Sequence, residues 1–458
     1  MKMKIVKWVA LVLVSALALS LMACNNAPYA DPEVPKDYVV DPSGRIKVSM
    51  YLRSGEQSEI ALDKWIKVYN ENYPNVKVRR DIIEWAQFPV QVAAGDIGDV
   101  YYTSDLDVYN YAVRYKGAMP LDAYVDNLGV DVQSIYTNVY DLGCYNGRLY
   151  MVPSDISQST FLINVSALRE AGLKVPAMTW TWDEFYNDYC PALRKVASDG
   201  TYEQVGIYIQ TDDEVPALTY FLEGWGGKWC DTVNKKTHFY TDEKVLEGIW
   251  HVIDLIDKGY ASTRNLRGEI GALHANLQDP QGYGFKYALH SGILWQDRIA
   301  NMETYNAVGL EMDVVTVPET PNRVIPGDTF GYVVYSKTRN PDAAATFVLT
   351  LCTFEGQDAF NSVVGGGIPT RRDVAEKGNW KLPFDEDKFN YDAFTAYPES
   401  FVACWTACSV PPEVGEIITK YLNNLVANHF NNVKSYQDTL STMEQEANEK
   451  WATLFEEG

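Results

Sequence analysis

Charged side chains occur where two of the predicted strands end, and ligands bind at strand ends in open α/β sheets. Arg53 and Glu56 occupy the loop after the first predicted strand, and Asp105 follows the third. Carboxylates and guanidinium groups at such positions can exchange hydrogen bonds with a polar ligand. The alternatives are a solvated surface for Arg53 and Glu56, and a helix N-cap for Asp105.

Aromatic residues are abundant, with 12 Trp, 31 Tyr and 16 Phe, and their rings can cover the apolar faces of a ligand. Trp225 stands between Gly224 and Gly226, in a segment that must bend sharply. A tryptophan at such a bend is poorly suited to a core, which makes Trp225 a binding candidate. Trp85 and Tyr102 are further candidates. Because most aromatic residues belong to cores, abundance alone does not assign any of them to a site.

The elements that would position these residues alternate between strand and helix. Arg45–Leu52, Val76–Arg80 and Asp99–Tyr102 have the character of strands, and apolar residues at helical spacing run from Ile60 to Tyr73. Strand–helix–strand order predicts a parallel sheet flanked by helices, the α/β class. Two later strands are expected at Met312–Val317 and Phe330–Tyr335. Later helices are expected at Pro216–Glu223, Asp242–Lys258, Asp342–Thr353, Glu413–Asn428 and Ser435–Phe455.

The N-terminus has the pattern of an export signal. Three lysines precede an apolar run from Trp8 to Ala18, and small residues follow before Cys24. The sequence Leu21-Met-Ala-Cys24 resembles a bacterial lipobox, which predicts a signal peptide over residues 1–23 and a lipid on the Cys24 thiol; a plain signal peptide is the alternative. Residues 24–44 are rich in proline and acids and are typical of an extended tether. The sequence therefore predicts an extracytoplasmic domain anchored to the cell membrane.

Composition limits the remaining possibilities. The chain beyond the tether is too long for one hydrophobic core, so two domains are expected. The formal net charge of −22, with no basic cluster, argues against nucleic acid as a partner. With Cys24 lipidated, six cysteines remain, and their disulfide pairing is open among 15 possibilities. Because the sequence has only five histidines and no CxxC motif, it shows no pattern of zinc ligands, and no metal or other cofactor is predicted.

Eight segments share the order and spacing of one family's motifs. They are Ala93–Val100, Gly117–Asp122, Asn146–Pro153, Phe161–Asn164, Arg169–Leu173, Trp182–Phe185, Gly282–Trp295 and Pro341–Phe347. With these segments the chain resembles the extracellular solute-binding lipoproteins of carbohydrate ABC transporters, the maltose-binding-protein-like family. Two segments depart from the family pattern: Gly98 stands where proline is usual, and Ile163 where tyrosine is usual. The resemblance covers nearly everything after Arg45.

The resemblance implies a two-lobed fold of the periplasmic-binding-protein type. Each lobe would be a mostly parallel sheet flanked by helices, with the ligand cleft between the lobes and hinge-like closure. It maps the first lobe to residues 45–153 plus 318–352 and the second to 157–314 plus 356–458. Crossings between the lobes are then expected near Ser154–Asp155, Thr316 and Thr353.

The resemblance also implies positions for ligand-facing side chains. The family's ligand-facing tryptophans correspond to Trp295 and Trp405, and Ser157 and Gln158 fall on the stretch where the family places a hydrogen-bonding side chain. Asp297, which follows Trp295, is a further polar candidate. Core or solvated positions are the alternative for each.

The function implied is the capture of an extracellular oligosaccharide and its delivery to the permease of an ABC importer, without catalysis, by a chain expected to be a monomer. Three alternatives stay open. A polyamine or peptide binder would use converging acids such as Asp99, Asp105 and Glu56. A secreted glycosidase would need two carboxylates at a fixed separation, and no motif singles out such a pair. The chain could also present sugar to a membrane sensor.

Overall fold

The computed structural model describes residues 38–53, 55–200, 202–209, 216–231, 234–263, 287–293, 309, 311–363, 366–381, 390–403, 410–427 and 433–456. The predicted signal peptide, Cys24 and most of the tether lie outside the described residues. The described strands are β1 (Gly44–Met50), β2 (Val76–Ile82), β3 (Val100–Ser104), β4 (Cys144–Tyr145), β5 (Arg148–Leu149), β6 (Met151–Asn164), β7 (Lys195–Val196), β8 (Tyr202–Ile209), β9 (Cys230–Asp231), β10 (Lys236–Thr237), β11 (Ala261–Thr263), β12 (Tyr287–Ile293), β13 (Met312–Val315), β14 (Ile325–Val334) and β15 (Phe401–Ala403).

Helices lie between these strands and after them. The described α-helices are α1 (Glu56–Asn72), α2 (Phe88–Ala94), α3 (Asp122–Leu128), α4 (Thr137–Leu142), α5 (Val165–Glu170), α6 (Trp182–Glu184), α7 (Cys190–Leu193), α8 (Pro216–Glu223), α9 (Glu243–Asp257), α10 (Pro341–Leu349), α11 (Phe354–Asn361), α12 (Arg372–Lys377), α13 (Pro412–Ala427) and α14 (Val433–Glu456). The strands and helices predicted from periodicity are all present among them, with ends shifted by a few residues. Short 3₁₀ turns include Trp85–Gln87 and Asp105–Asp107, just before α2 and just after β3.

Eleven of the described strands form one continuous sheet, in the order β11-β8-β12-β6-β14-β3-β1-β2, with β13 beside β6, β15 beside β14 and β7 beside β8. β1 is parallel to β2 and β3, and β8 is parallel to β11 and β12. The long strands β6 and β14 are antiparallel to each other and join these two parallel groups. The predicted parallel pairing is confirmed for β1 to β3, whereas the antiparallel join was not predicted.

Two hydrophobic cores lie on either side of this join. In the first, Trp65 of α1 stacks on Phe347 of α10 with ring centroids 4.0 Å apart. The second is a separate cluster of buried residues that includes Phe161, Ile253 and Trp451. Separate cores joined by two strands are the physical basis of a two-lobed molecule, because each core can move as one body.

β6 carries the first crossing between the lobes. Its residues 151–158 pair with β14, and residues 159–164 pair with β12 and β13. The expected crossing at Ser154–Asp155 lies inside this strand.

The segment that follows β13 packs on the second core. The carbonyl of Thr316 accepts a hydrogen bond from the Trp180 indole at 2.8 Å, and the carbonyl of Pro318 accepts one from the Tyr220 hydroxyl at 2.8 Å. These bonds hold residues 316–318 on the second core. We propose that β14 itself is the return crossing.

The segment that follows Thr353 packs on the first core. Helix α11, part of which the sequence assigned to the second lobe, packs on α1, with the ring of Phe360 edge-on to Trp65 at 5.9 Å. After this helix Ile368 bridges to Ile156 of β6. We therefore propose that the third crossing follows α11.

Gly98 has a structural explanation for its departure from the family pattern. Its backbone N–H donates to the Ser49 hydroxyl at 3.0 Å, a bond that proline cannot make. A Cβ atom at Gly98 would lie 2.6 Å from the Lys47 carbonyl oxygen. The close approach of the loop to β1 thus requires glycine.

The packing of α9 on α8 predicts the effect of one methyl group. A Cβ atom at Gly248 of α9 would lie 1.7 Å from the Phe221 carbonyl oxygen. We expect Gly248→Ala to lower the free energy of unfolding by about 2–3 kcal/mol, because overpacking forces the helices apart. Urea denaturation followed by tryptophan fluorescence measures this loss.

Gly415→Ala is the matched control, because Gly415 lies in α13 with no atom within 4 Å of its Cβ position. That substitution should raise the free energy of unfolding by about 0.5–1 kcal/mol through helix propensity. Equal effects of the two substitutions would contradict the packing described for α9.

Candidate functional site

A buried ion pair joins the loop after β1 to the crossing strand. Arg53 Nη2 lies 2.7 Å from Asp155 Oδ1, and the side chains are 18% and 1% exposed. The Ser154 hydroxyl donates to the other carboxylate oxygen, Asp155 Oδ2, at 2.8 Å. The loop that follows β1 is thereby fixed to β6 at the point where β6 leaves the first lobe.

Aromatic rings surround the guanidinium of Arg53. It lies 4.6 Å from the centroid of the Phe330 ring, and its Nη1 donates to the Tyr102 hydroxyl at 3.3 Å. Tyr102 and Phe330 lie parallel, with centroids 5.9 Å apart. Burial raises the pKa of Tyr102 well above its ordinary value, although Arg53 opposes the shift. Tyr102 therefore stays a neutral phenol at physiological pH.

Trp85 extends this aromatic surface outward. Its ring is edge-on to Tyr102 with centroids 6.0 Å apart and lies 5.9 Å from Tyr51. Trp85 is 37% exposed, whereas Tyr102 is 5% exposed. The surface thus runs from the half-buried Phe330 through the buried Tyr102 to the exposed Trp85, a form suited to stacking against a ligand that enters from solvent.

Two other predicted residues lie close in sequence to this cluster. Glu56 begins helix α1, three residues after Arg53, and is exposed. Asp105 is fully buried and begins the 3₁₀ turn after β3, so it is not the N-cap of that turn; Ser104 holds that position.

Strand register separates the predicted pair Ser157 and Gln158. Phe330 pairs with Asp155 and Asp328 pairs with Ser157, so these side chains share a face of the sheet. Gln158 points to the opposite face, where its Nε2 donates to the carbonyls of Ala393 at 3.2 Å and Ala396 at 3.0 Å. Ser157 is therefore brought to the face of the Arg53–Asp155 pair, and Gln158 is not.

Trp225 lies elsewhere, in the core of the second lobe. It is 8% exposed, stacks on His251 with centroids 4.2 Å apart and meets Trp182 edge-on at 5.1 Å. The expectation that this ring is poorly suited to a core is wrong, because Trp225 packs within the buried cluster of the second core. The neighbouring Gly226 has φ +88° and accommodates the bend in the chain. Burial lowers the pKa of His251. Trp225 also lines an open groove of about 750 Å³ on the surface of the second lobe.

Trp295, Asp297 and Trp405 lie outside the described residues. The sequence reasoning missed Asp155 as a site residue, together with Phe330 and Ser104. The signal for Asp155 in the sequence is the run Ser154-Asp-Ile-Ser-Gln-Ser-Thr160, which is mostly polar. In the structure this run lies in β6, whose 14 residues are all buried.

The described part of the chain gives little support to a polyamine site or a metal site. Asp99, a candidate for a polyamine site, accepts hydrogen bonds from the Lys47 amide at 2.8 Å and the Thr338 hydroxyl at 2.6 Å, so it holds the first lobe together. Across the described residues no group of His, Cys, Asp and Glu could hold a metal ion, and no helix is long and apolar enough to cross a membrane. Free thiols are found at Cys144, Cys190, Cys230 and Cys352.

Two α/β lobes joined by crossing strands, with polar and aromatic side chains at the junction, define the class of two-lobed binding proteins. Solved structures agree on the fold. The sugar-binding protein MalE from Xanthomonas citri matches with a TM-score of 0.71 at 16% identity, over 91% of this chain and 100% of that one. An ABC substrate-binding protein from Listeria monocytogenes in complex with cycloalternan matches with a TM-score of 0.68 at 15% identity, over 90% and 100%.

Sequence comparison gives the family. The family model described as "Bacterial extracellular solute-binding protein" matches residues 55–357. The chain belongs to this family, which confirms the resemblance seen in the sequence. It is also similar to a multiple sugar-binding protein of Streptococcus mutans serotype c, at 26% identity over 178 residues. That alignment spans 38% of this chain and 38% of the relative.

The burial of the Arg53–Asp155 pair predicts a large effect from removing one partner. We expect Arg53→Met to lower the free energy of unfolding by about 3 kcal/mol, because it leaves the Asp155 carboxylate buried without its cation. The double variant Arg53→Met/Asp155→Asn should recover part of that loss. Chemical denaturation of the three proteins measures both effects.

Arg169→Met is the control, since Arg169 pairs with Glu311 at the surface, with side chains 66% and 55% exposed. That substitution should cost less than about 1 kcal/mol. If Arg53→Met costs no more than Arg169→Met, the Arg53–Asp155 pair does not fix the loop to β6.

Proposed function

We propose that this chain is the substrate-binding component of an ABC importer and that it captures an extracellular oligosaccharide for a membrane permease. The observation that carries the proposal is the aromatic surface of Trp85, Tyr102 and Phe330 beside the Arg53–Asp155 pair. A sugar presents apolar C–H faces and a rim of hydroxyls, so it needs rings next to fixed hydrogen-bonding groups. Sugars named with the related structures support the same ligand class.

The proposed site combines residues from both lobes. Tyr102, Trp85 and Arg53 with Asp105 and Glu56 would serve the first lobe, and Ser157 the crossing strand. Trp295 and Trp405 are proposed for the remainder on the family pattern, with Asp297 beside Trp295. Trp225 and Gln158 stay predictions of the sequence and are not needed for the arrangement proposed here. A ligand that touches both lobes binds the closed form better than the open form, so binding shifts the population toward closure.

We also propose that the chain reaches the membrane through a lipid on Cys24, with residues 25–44 as the spacer. This proposal rests on the lipobox-like sequence and the proline-rich segment after it. Globomycin treatment of producing cells would leave the uncleaved precursor if Cys24 is the lipidation site, and a Cys24→Ser variant should be released from the membrane fraction. Retention of the Cys24→Ser variant in that fraction would contradict the anchor.

We propose binding without turnover. The nearest competitor is a binder for a polyamine or peptide, and its acid cluster loses Asp99 to the structural bonds described above. The experiment is thermal unfolding of residues 25–458 with maltotriose, mannotriose, cycloalternan, acarbose, spermidine and a tripeptide. A ligand at 100 times its Kd should add about 2.7 kcal/mol to stability, a shift of a few degrees in the midpoint.

A midpoint shift with a glycan that is recovered intact supports the proposal. Recovery of shortened glycan would instead indicate a glycosidase. A shift with spermidine or the tripeptide and with none of the glycans would overturn the carbohydrate assignment and leave the fold unaffected.

Trp85 supplies the exposed end of the aromatic surface, so its removal should weaken glycan binding. We expect Trp85→Ala to lose about 1 kcal/mol of binding free energy, roughly fivefold in Kd, in line with one stacking contact. Isothermal titration calorimetry measures the change. Tyr240→Ala is the control, because Tyr240 is an aromatic residue of the second lobe with similar exposure, 41%. Unchanged affinity in Trp85→Ala would remove Trp85 from the site.

A further inference from the structure

Three buried serine hydroxyls without a hydrogen-bond partner lie where β6 and β14 pair and on the neighbouring strand β3. Ser104 Oγ, Ser157 Oγ and Ser159 Oγ are inaccessible to solvent, and within the described part of the chain none of them has a partner. The three residues are at most 2% exposed. A buried hydroxyl that lacks a hydrogen-bond partner destabilises the fold, so a set of them in one place requires a reason.

Register places these serines on one face of the sheet. Ser104 of β3 pairs with Phe330 of β14, and Phe330 pairs with Asp155 of β6. Because side chains alternate along a strand, Ser157 and Ser159 follow Asp155 on the same side. The face that bears the Arg53–Asp155 pair therefore continues as a row of hydroxyls from the first lobe, across the crossing, into the part of β6 that pairs with β12 of the second lobe.

The opposite face of β6 is built differently. There Gln158 donates both of its described bonds to main-chain carbonyls, those of Ala393 and Ala396. Thr160, also on that face, has a buried hydroxyl without a partner among the described residues. Thr160 thus shares burial and lack of a partner with the serines but differs from them in the face it occupies.

We propose that Ser104, Ser157 and Ser159 form a polar floor that receives hydroxyl groups of the bound sugar. Ser104 and Ser159 are new as ligand-contacting residues. The inference rests on the proposed function and specifies the ligand further. A serine hydroxyl both donates and accepts without carrying charge, so it matches a neutral hydroxyl. The floor therefore favours neutral sugar units.

The test separates a ligand-binding role from a structural one. A hydroxyl without a protein partner adds nothing to the free protein, so Ser104→Ala and Ser159→Ala should leave the urea midpoint unchanged or raise it. The same substitutions should weaken binding of the glycan that gives wild type its largest thermal shift, by about five- to tenfold in calorimetry, as expected for one lost hydrogen bond. Thr160→Val, the matched control on the opposite face, should bind the glycan as wild type does.

Two results would overturn the inference. If wild type binds glycan and both serine variants bind it equally well, the floor proposal fails and the carbohydrate function stands. If the serine variants lose affinity only together with stability, or Thr160→Val loses as much affinity as they do, the hydroxyls have a structural role. Failure of wild type to bind any glycan of the panel would remove the proposed function and the floor together.

Discussion

The architecture depends on β6, a single strand shared by two lobes. All 14 of its residues are buried, and its two halves pair with different sets of strands. A strand presents alternate residues to its two faces, so whatever the site requires from β6 must come from every second position. Asp155 and Ser157 meet that condition, and Gln158 falls on the other side. The crossing thus restricts the chemistry of the site as well as joining the lobes.

The Arg53–Asp155 pair follows from this constraint. A carboxylate buried on a crossing strand requires a cation, and the loop after β1 provides one. The Asp155 carboxylate also lies against Gly367, in the segment after α11. Gly367 has φ +79°, and a Cβ atom there would lie 2.4 Å from Asp155 Oδ1, so this position requires glycine. Asp155 therefore contacts the loop after β1 through Arg53 and the segment after α11 at Gly367.

Much of the fold could be predicted from the sequence, because strands β1 to β3 and helices such as α9 carry clear periodicity. β6 could not be predicted from periodicity, since a strand buried on both faces has no alternation to read. The lobe boundaries after β13 and α10 remain predictions, because they depend on long-range hydrogen bonds such as Trp180 to Thr316, which local sequence does not show. For the candidate site, Arg53 and Tyr102 could be predicted from their positions at strand ends. The separation of Ser157 from Gln158 and the burial of Trp225 depend on register and on a loop turn, which local sequence does not specify.

The most direct test is hydrogen–deuterium exchange of the free protein and of the protein saturated with the glycan that stabilises it most. The account predicts slower exchange in residues 51–57, 84–88 and 104–109, the loops that carry Arg53, Trp85 and Asp105. Protection confined to residues 181–187 and 247–258, around the groove beside Trp225, with the three loops unchanged, would contradict it. Such a result would move the ligand away from the crossing strands and onto the surface of the second lobe.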